Sequence, residues 1–164
     1  MMRPGYLVDT DWAVFYLRGR EPFVSLLRTL RERGLAVSIV TVAELYEGVF
    51  RAPRPEEKEA GLFDFLSGVS VLDLTVPVAR LFGSYRAQLR REGRLVGDFD
   101  LLIGCTAVHH SLPLLTENAR HYERIPGLRT ISARELSAQN GRSSVDGGEG
   151  PAPTVRKRRG RKPN

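Results

Sequence analysis

Cysteine occurs once in these 164 residues, at Cys105. No disulfide can form within the chain, and no cluster of thiolates can hold a metal. The three histidines, His109, His110 and His121, lack the spacing of a zinc site. Any metal here is therefore expected to be held by oxygens. No apolar run approaches the roughly 18 residues of a membrane span. Residues 1–8 also lack the apolar stretch of a secretory signal. Together these absences give the expectation of a cytoplasmic protein with no membrane partner. Lysine is scarce too: Lys58 stands alone before residue 157. There is no internal repeat.

What is present is ordinary for a globular domain, with 41% hydrophobic and 27% charged residues. The net charge of +6 is unevenly spread. Residues 142–164 hold seven basic and two acidic side chains, so that segment carries +5 of it. The high pI belongs to the tail, and the body is nearly neutral. Beyond residue 140 the chain is rich in Gly, Ser, Pro and Arg and has almost no large apolar side chains. Such a composition buries too little surface to offset its ordering entropy. The expected organisation is one folded domain over 1–138 and a disordered basic tail over 139–164. That tail offers Arg156, Lys157, Arg158, Arg159, Arg161 and Lys162 to nucleic acid.

Strand and helix patterns alternate along the body. Tyr6-Leu7-Val8 reads as a buried strand ending at Asp9, with Thr10 or Asp11 capping a helix to about Arg18. Phe23, Leu26, Leu27 and Leu30 recur at the helical period before Gly34. A strand is expected at 37–40, then a helix from Thr41, a break at 51–55 and a helix over 56–67. A third strand follows at 69–74, with a long helix after Pro77. Short strands are expected at 112–115 and 128–131, and a last helical turn or two at 133–138. Alternation of this kind argues for an α/β fold with a parallel sheet covered on both faces. In such sheets ligands bind beyond the carboxyl ends of the strands.

The polar residues gather at that edge. Asp9 follows the first strand, and a carboxylate there is costly without a partner. Glu44 sits past the second strand. It is three residues after Thr41, which also fits a capping box closing its own helix. Asp98 and Asp100 precede an apolar helix, and Asp100 also suits an ordinary N-cap. Thr116 and Asn118 close the strand at 112–115. If the four acids meet, a divalent ion relieves their repulsion. Mg²⁺ needs few carboxylates and keeps waters for a phosphate substrate to replace, and Mn²⁺ can stand in for it. The implied chemistry is metal-dependent phosphodiester hydrolysis.

The same residues carry a resemblance. Tyr6-Leu7-Val8-Asp9-Thr10-Asp11, then Thr41-Val42-Ala43-Glu44-Leu45, resemble the opening blocks of PIN domains, above all those of VapC-type toxins. Gly97-Asp98-Phe99-Asp100-Leu101-Leu102-Ile103-Gly104 and the block from Leu115-Thr116-Glu117-Asn118 to Leu128 match the later ones, in order over about residues 5–132. The resemblance implies a PIN-like three-layer sandwich with a mainly parallel central sheet flanked by helices. It implies a Mg²⁺-dependent endoribonuclease, the toxin of a type II toxin–antitoxin pair, inhibited by a VapB-type antitoxin and usually a homodimer. It carries the first three acids of the family onto Asp9, Glu44 and Asp100. The fourth position, often Asp, is Asn118 here, and Asp98 is a candidate to replace its charge. Thr116 belongs to the same block as a supporting polar group.

Two other functions compete. Val8-Asp9-Thr10-Asp11 also resembles the opening of HAD-type phosphatases, which need a lysine after a later strand. Lys58 lies instead in a charged helix. A non-catalytic nucleic-acid- or partner-binding module would use these acids only as caps.

Overall fold

The structure is a computed structural model that describes residues 3–143. Five strands form one sheet: β1 (Tyr6–Val8), β2 (Leu35–Ser38), β3 (Ser70–Leu72), β4 (Leu114–Leu115) and β5 (Thr130–Ile131). The order is β3-β2-β1-β4-β5, and every pairing is parallel. The chain runs outward from β1 to β3, then returns to the other side of β1. Strand order therefore reverses between β1 and β4, where the register pairs Leu7 with Leu114 and Val8 with Leu115. Crevices at such reversals are where α/β sheets bind ligands.

Among the described residues, eight α-helices cover the two faces. They are α1 (Thr10–Leu17), α2 (Phe23–Leu30), α3 (Ile39–Phe50), α4 (Pro55–Ser67), α5 (Val76–Arg91), α6 (Asp98–His109), α7 (Ala119–Tyr122) and α8 (Ala133–Ser143). The period-two geometry of strands divides the core between them. Leu7, Ala36 and Leu114 face α5 and α6, while Val8, Val37 and Leu115 face α1, α2 and α8. Trp12 and Leu62 are fully buried in the second of these layers. Each such large apolar side chain contributes about 1.5–3 kcal/mol. Among the described residues, no helix is long and apolar enough to cross a membrane.

The architecture is the expected one, but several boundaries move, and the movements matter for the site. The expected strand at 37–40 ends at Ser38, because the Ser38 hydroxyl accepts the Val40 N–H and starts α3 there. Thr41 is thus inside the helix, and the capping-box reading of Glu44 falls. The first helix is capped by Asp9 itself, whose carboxylate accepts the Thr10 N–H, and not by Thr10 or Asp11. Asp100 is not the cap of α6: Gly97 holds that position, and Asp100 lies in the first turn. The strand expected at 69–74 is shorter, at Ser70–Leu72. The last helix runs past the expected boundary at 138, to Ser143. The basic run at 156–162 lies outside the described residues.

Gly34 sets the entry into β2. It has φ 76° and ψ 124°, a region that side chains disfavour. A Cβ there would also meet Pro4 Cα at 3.0 Å and the Arg3 carbonyl oxygen at 3.1 Å. Gly34→Ala is expected to destabilise the domain by about 1–3 kcal/mol. Urea unfolding of the variant against wild type measures it, and an unchanged midpoint would remove Gly34 from this role.

Candidate active site

Asp9 stands at the carboxyl end of β1, beside the reversal point, and is 4% exposed. Three donors hold its carboxylate. Oδ1 accepts the Thr10 N–H at 2.8 Å and the Tyr122 hydroxyl at 2.8 Å, and Oδ2 accepts the Thr116 hydroxyl at 2.7 Å. Burial pushes its pKa above the usual carboxylate range, the three hydrogen bonds pull it back, and Asp100 adds repulsion. Thr116 follows β4 directly, so the two strands that flank the reversal supply both partners of that last bond.

Glu44 reaches the same edge from α3. Its Oε2 accepts the Thr10 hydroxyl at 2.5 Å. Burial raises its pKa, and Asp9 and Asp100 raise it further against the opposing effect of that hydrogen bond. Asp100 comes from the first turn of α6, with Oδ2 3.1 Å from Nδ1 of His121. A cleft of about 580 Å³ opens beside Glu44 between α1, α3 and α4, with Val14, Arg18 and Lys58 on its walls.

The structure thus brings together Asp9, Glu44, Asp100, Thr116 and, at one remove, Asn118. It does not bring in Asp98. That carboxylate forms an ion pair with Arg86 of α5, while Asp100 is the α6 acid that acts most on Asp9 and Glu44. Adjacent helix positions but one point about 200° apart around the axis, so Asp98 and Asp100 leave α6 in different directions.

Three site residues escaped the sequence reading. Asp11 looked like a cap, but its Oδ1 accepts the Trp12 N–H at 2.7 Å and its Oδ2 accepts the Glu117 N–H at 2.8 Å and the Asn118 amide at 3.3 Å. It ties the start of α1 to the loop after β4. Tyr122 gave no local signal, being 113 residues from the carboxylate it touches. His121 entered the sequence reading only as a histidine outside any zinc spacing; it is exposed, yet its ring lies against Asp100.

Among the described residues, no Arg or Lys forms an ion pair with Asp9, Asp11 or Glu44. No three carboxylate, imidazole or thiol groups among them form a ready-made metal cage either. An open set of acids suits Mg²⁺, which takes one or two carboxylates and retains waters. Oε1 of Glu44 and Oδ1 of Asp100 accept no hydrogen bond among the described residues, which leaves an oxygen of each for an ion or its waters.

Residues 6–128 match the PIN domain family. The chain is 36% identical over 126 residues to ribonuclease VapC2 of Haemophilus influenzae, covering 76% of this chain and 95% of that one. The chain belongs to the PIN domain family, as a VapC-type ribonuclease toxin. Another VapC, the tRNA(fMet)-specific endonuclease of Shigella flexneri, is 34% identical with the same coverage. Among solved structures, the DNA-bound VapBC of Salmonella typhimurium matches with a TM-score of 0.73 at 31% identity, covering 80% of this chain and 98% of that one. VapBC2 of Rickettsia felis, bound to a DNA fragment from their promoter, matches with the same TM-score at 27% identity, covering 77% and 97%. Membership in the VapC toxins displaces both the phosphatase and the non-catalytic module. The PIN match ends ahead of α8 and of the basic run.

The buried acids carry a pH signature. Burial, then the neighbouring Asp9, pushes Asp11 from 3.8 up to about 6. A raised carboxylate binds its proton more tightly in the folded state, so its stabilising effect is complete below the unfolded value and is lost as pH rises through about 6. After discounting for partial exposure, this amounts to roughly 1–2 kcal/mol. Urea unfolding in EDTA at pH 4–7 should show the Asp11→Asn variant losing less stability than wild type as pH rises. Parallel curves for the two proteins would refute the assignment.

Proposed function

We propose that this VapC-type toxin is a Mg²⁺-dependent endoribonuclease, with Mn²⁺ able to substitute, and that Asp9, Glu44 and Asp100 hold the ion. One observation carries the reading. Asp9 is nine-tenths or more buried, Asp100 adds repulsion to it, Asp9 and Asp100 both act on Glu44, and no basic side chain among the described residues pairs with Asp9 or Glu44. Isolated carboxylates in such a place are costly unless a cation joins them. A bound divalent ion would supply that charge, acidify a water and stabilise the charge that develops on a scissile phosphate.

The protein's own groups have separable tasks. Hydrogen bonds from Thr10, Thr116 and Tyr122 lower the pKa of Asp9 against its burial and hold the carboxylate in one orientation. Thr10 also fixes one oxygen of Glu44 and leaves the other open. His121 orients Asp100 from the solvent side. Asn118 supplies no charge; its amide supports Asp11, and the ligand role considered for Asp98 passes to none of these. The partner class is a VapB-type antitoxin, supported by the VapBC assemblies of the similar structures, and a homodimer is the expected form of the toxin. The substrate is RNA, and a transfer RNA is the first to test, given the specificity named for the Shigella relative.

Asp9→Asn, Glu44→Gln and Asp100→Asn are each expected to lower kcat for RNA cleavage more than about 100-fold, beyond the loss typical of groups that only orient a metal ligand. The fold should survive, because each change removes charge and keeps shape. Cleavage of a transfer RNA with Mg²⁺, with melting curves alongside, measures both. Near-wild-type turnover in any one of them would remove that residue from the site.

The basic run at 156–162 has a separate role in this reading, namely sequence-independent RNA affinity. Six positive charges in seven residues would steepen the salt dependence of binding. At about −0.7 per neutralised phosphate on a single strand, the added slope of log affinity against log salt is at most roughly −4. Full-length chain and a chain ending at Ser143, both carrying Asp9→Asn so that RNA stays uncut, are expected to differ in slope and affinity. Equal slopes would leave the run with no part in RNA binding.

A further inference from the structure

We propose that Tyr122 is a positioning residue for the reaction, whose hydroxyl fixes the Asp9 carboxylate in the orientation that receives the ion; this rests on the metal-dependent reading above. Tyr122 is 2% exposed and packs in the same apolar layer as Leu7, Leu101 and Ile125. Phenylalanine would fill that layer equally well, so packing alone does not account for the hydroxyl. A buried phenol requires a hydrogen-bond partner, and here the partner is Asp9 Oδ1 at 2.8 Å. A neutral donor aimed at a desolvated carboxylate makes a charge-assisted bond, stronger than a bond between neutral groups.

The placement of α7 strengthens the argument. This helix is a single turn, Ala119–Tyr122, set between β4 and β5. Its last residue holds Asp9, and the residue before it, His121, lies 3.1 Å from Asp100 Oδ2. Two neighbouring side chains therefore contact two acids that come from distant parts of the chain, the end of β1 and the start of α6. Tyr122 does so from the core side and His121 from solvent. The separation of Asp9 and Asp100 is thereby tied to one short element, and Tyr122 is its buried anchor. Groups that orient a metal's ligands in this way typically cost 10–100-fold in metal affinity when removed.

The test measures binding of Mn²⁺ alone, by electron paramagnetic resonance, to the full chain in four forms: wild type, Tyr122→Phe, Asp9→Asn and the double variant. Tyr122→Phe is expected to weaken Mn²⁺ binding about tenfold and to lower kcat while leaving KM for RNA nearly unchanged. In the Asp9→Asn background, Tyr122→Phe is expected to weaken binding no further. Wild-type Mn²⁺ affinity in Tyr122→Phe would overturn the proposal. An equal loss in both backgrounds would overturn it as well, because the hydroxyl would then act through something other than Asp9. A wild-type protein that binds no Mn²⁺ would overturn the metal reading and this proposal with it, a result distinct from either of those. A second measurement needs no variant at position 122. With tyrosine ¹³Cζ labelling, the Tyr122 resonance is expected to move on titration with Mg²⁺ and to be displaced by Asp9→Asn. A signal indifferent to both would refute the contact as the coupling.

Discussion

The site depends on an unfavourable placement. A carboxylate at the end of a central strand, almost wholly out of water, costs several kcal/mol unless donors or a cation replace its hydration. Asp9 meets that cost with three hydrogen bonds from three different elements: the first N–H of α1, the hydroxyl after β4 and the phenol that ends α7. Each of those bonds also fixes a piece of the fold. The Thr10 N–H bond makes Asp9 the cap that starts α1. The Thr116 bond joins the two strands on either side of the reversal. The Tyr122 bond seats α7 on the sheet. The interactions that oppose the rise in its pKa are thus the ones that assemble the edge.

Much of this was legible in the chain. Alternating strand and helix patterns gave the parallel sheet, and the order of the acids along it placed Asp9 and Glu44 at a common edge. That step works because strand ends are local features: a short apolar run followed by an acid marks its own boundary. What failed was the exact start of helices. Ile39 and Val40 are β-branched and read as strand, yet Ser38 caps a helix there, and tertiary packing of Val40 and Val42 overrides the propensity. The resulting three-residue shift of the cap decides how Glu44 is read. With Thr41 as cap, Glu44 closes its own helix; with Ser38 as cap, it is free to face Thr10 and the cluster.

Long-range partners were not legible at all. Nothing near Asp98 in sequence indicates that Arg86 neutralises it, because the two meet only when α5 packs against α6. Nothing near Tyr122 marks its hydroxyl as different from any core tyrosine. The hydrophobic pattern fixes which faces are buried but is indifferent to single polar atoms within them. Those atoms become visible only when the strands are in register, and they are the ones that separate a cap or a packed ring from a working group.

The position after β4 shows how the charge of the site is kept while its ligands change. The resemblance to PIN domains expects an acid at 118, and this chain has Asn118. The lost charge is not replaced by Asp98, which Arg86 neutralises, but an extra acid stands close by at Asp11, two residues beyond Asp9. Asn118 donates to it, so the amide and the carboxylate form a complementary pair. Both oxygens of Asp11 are occupied by donors, from Trp12 on one side and from Glu117 and Asn118 on the other. With its pKa raised to about 6, it is mostly ionised at neutral pH and still repels Asp9. Asp11 therefore adds negative charge beside Asp9 without contributing a free oxygen. In the proposed site the ion would bind three acids, while Asp11 anchors the loop after β4, whose Thr116 hydroxyl donates to Asp9.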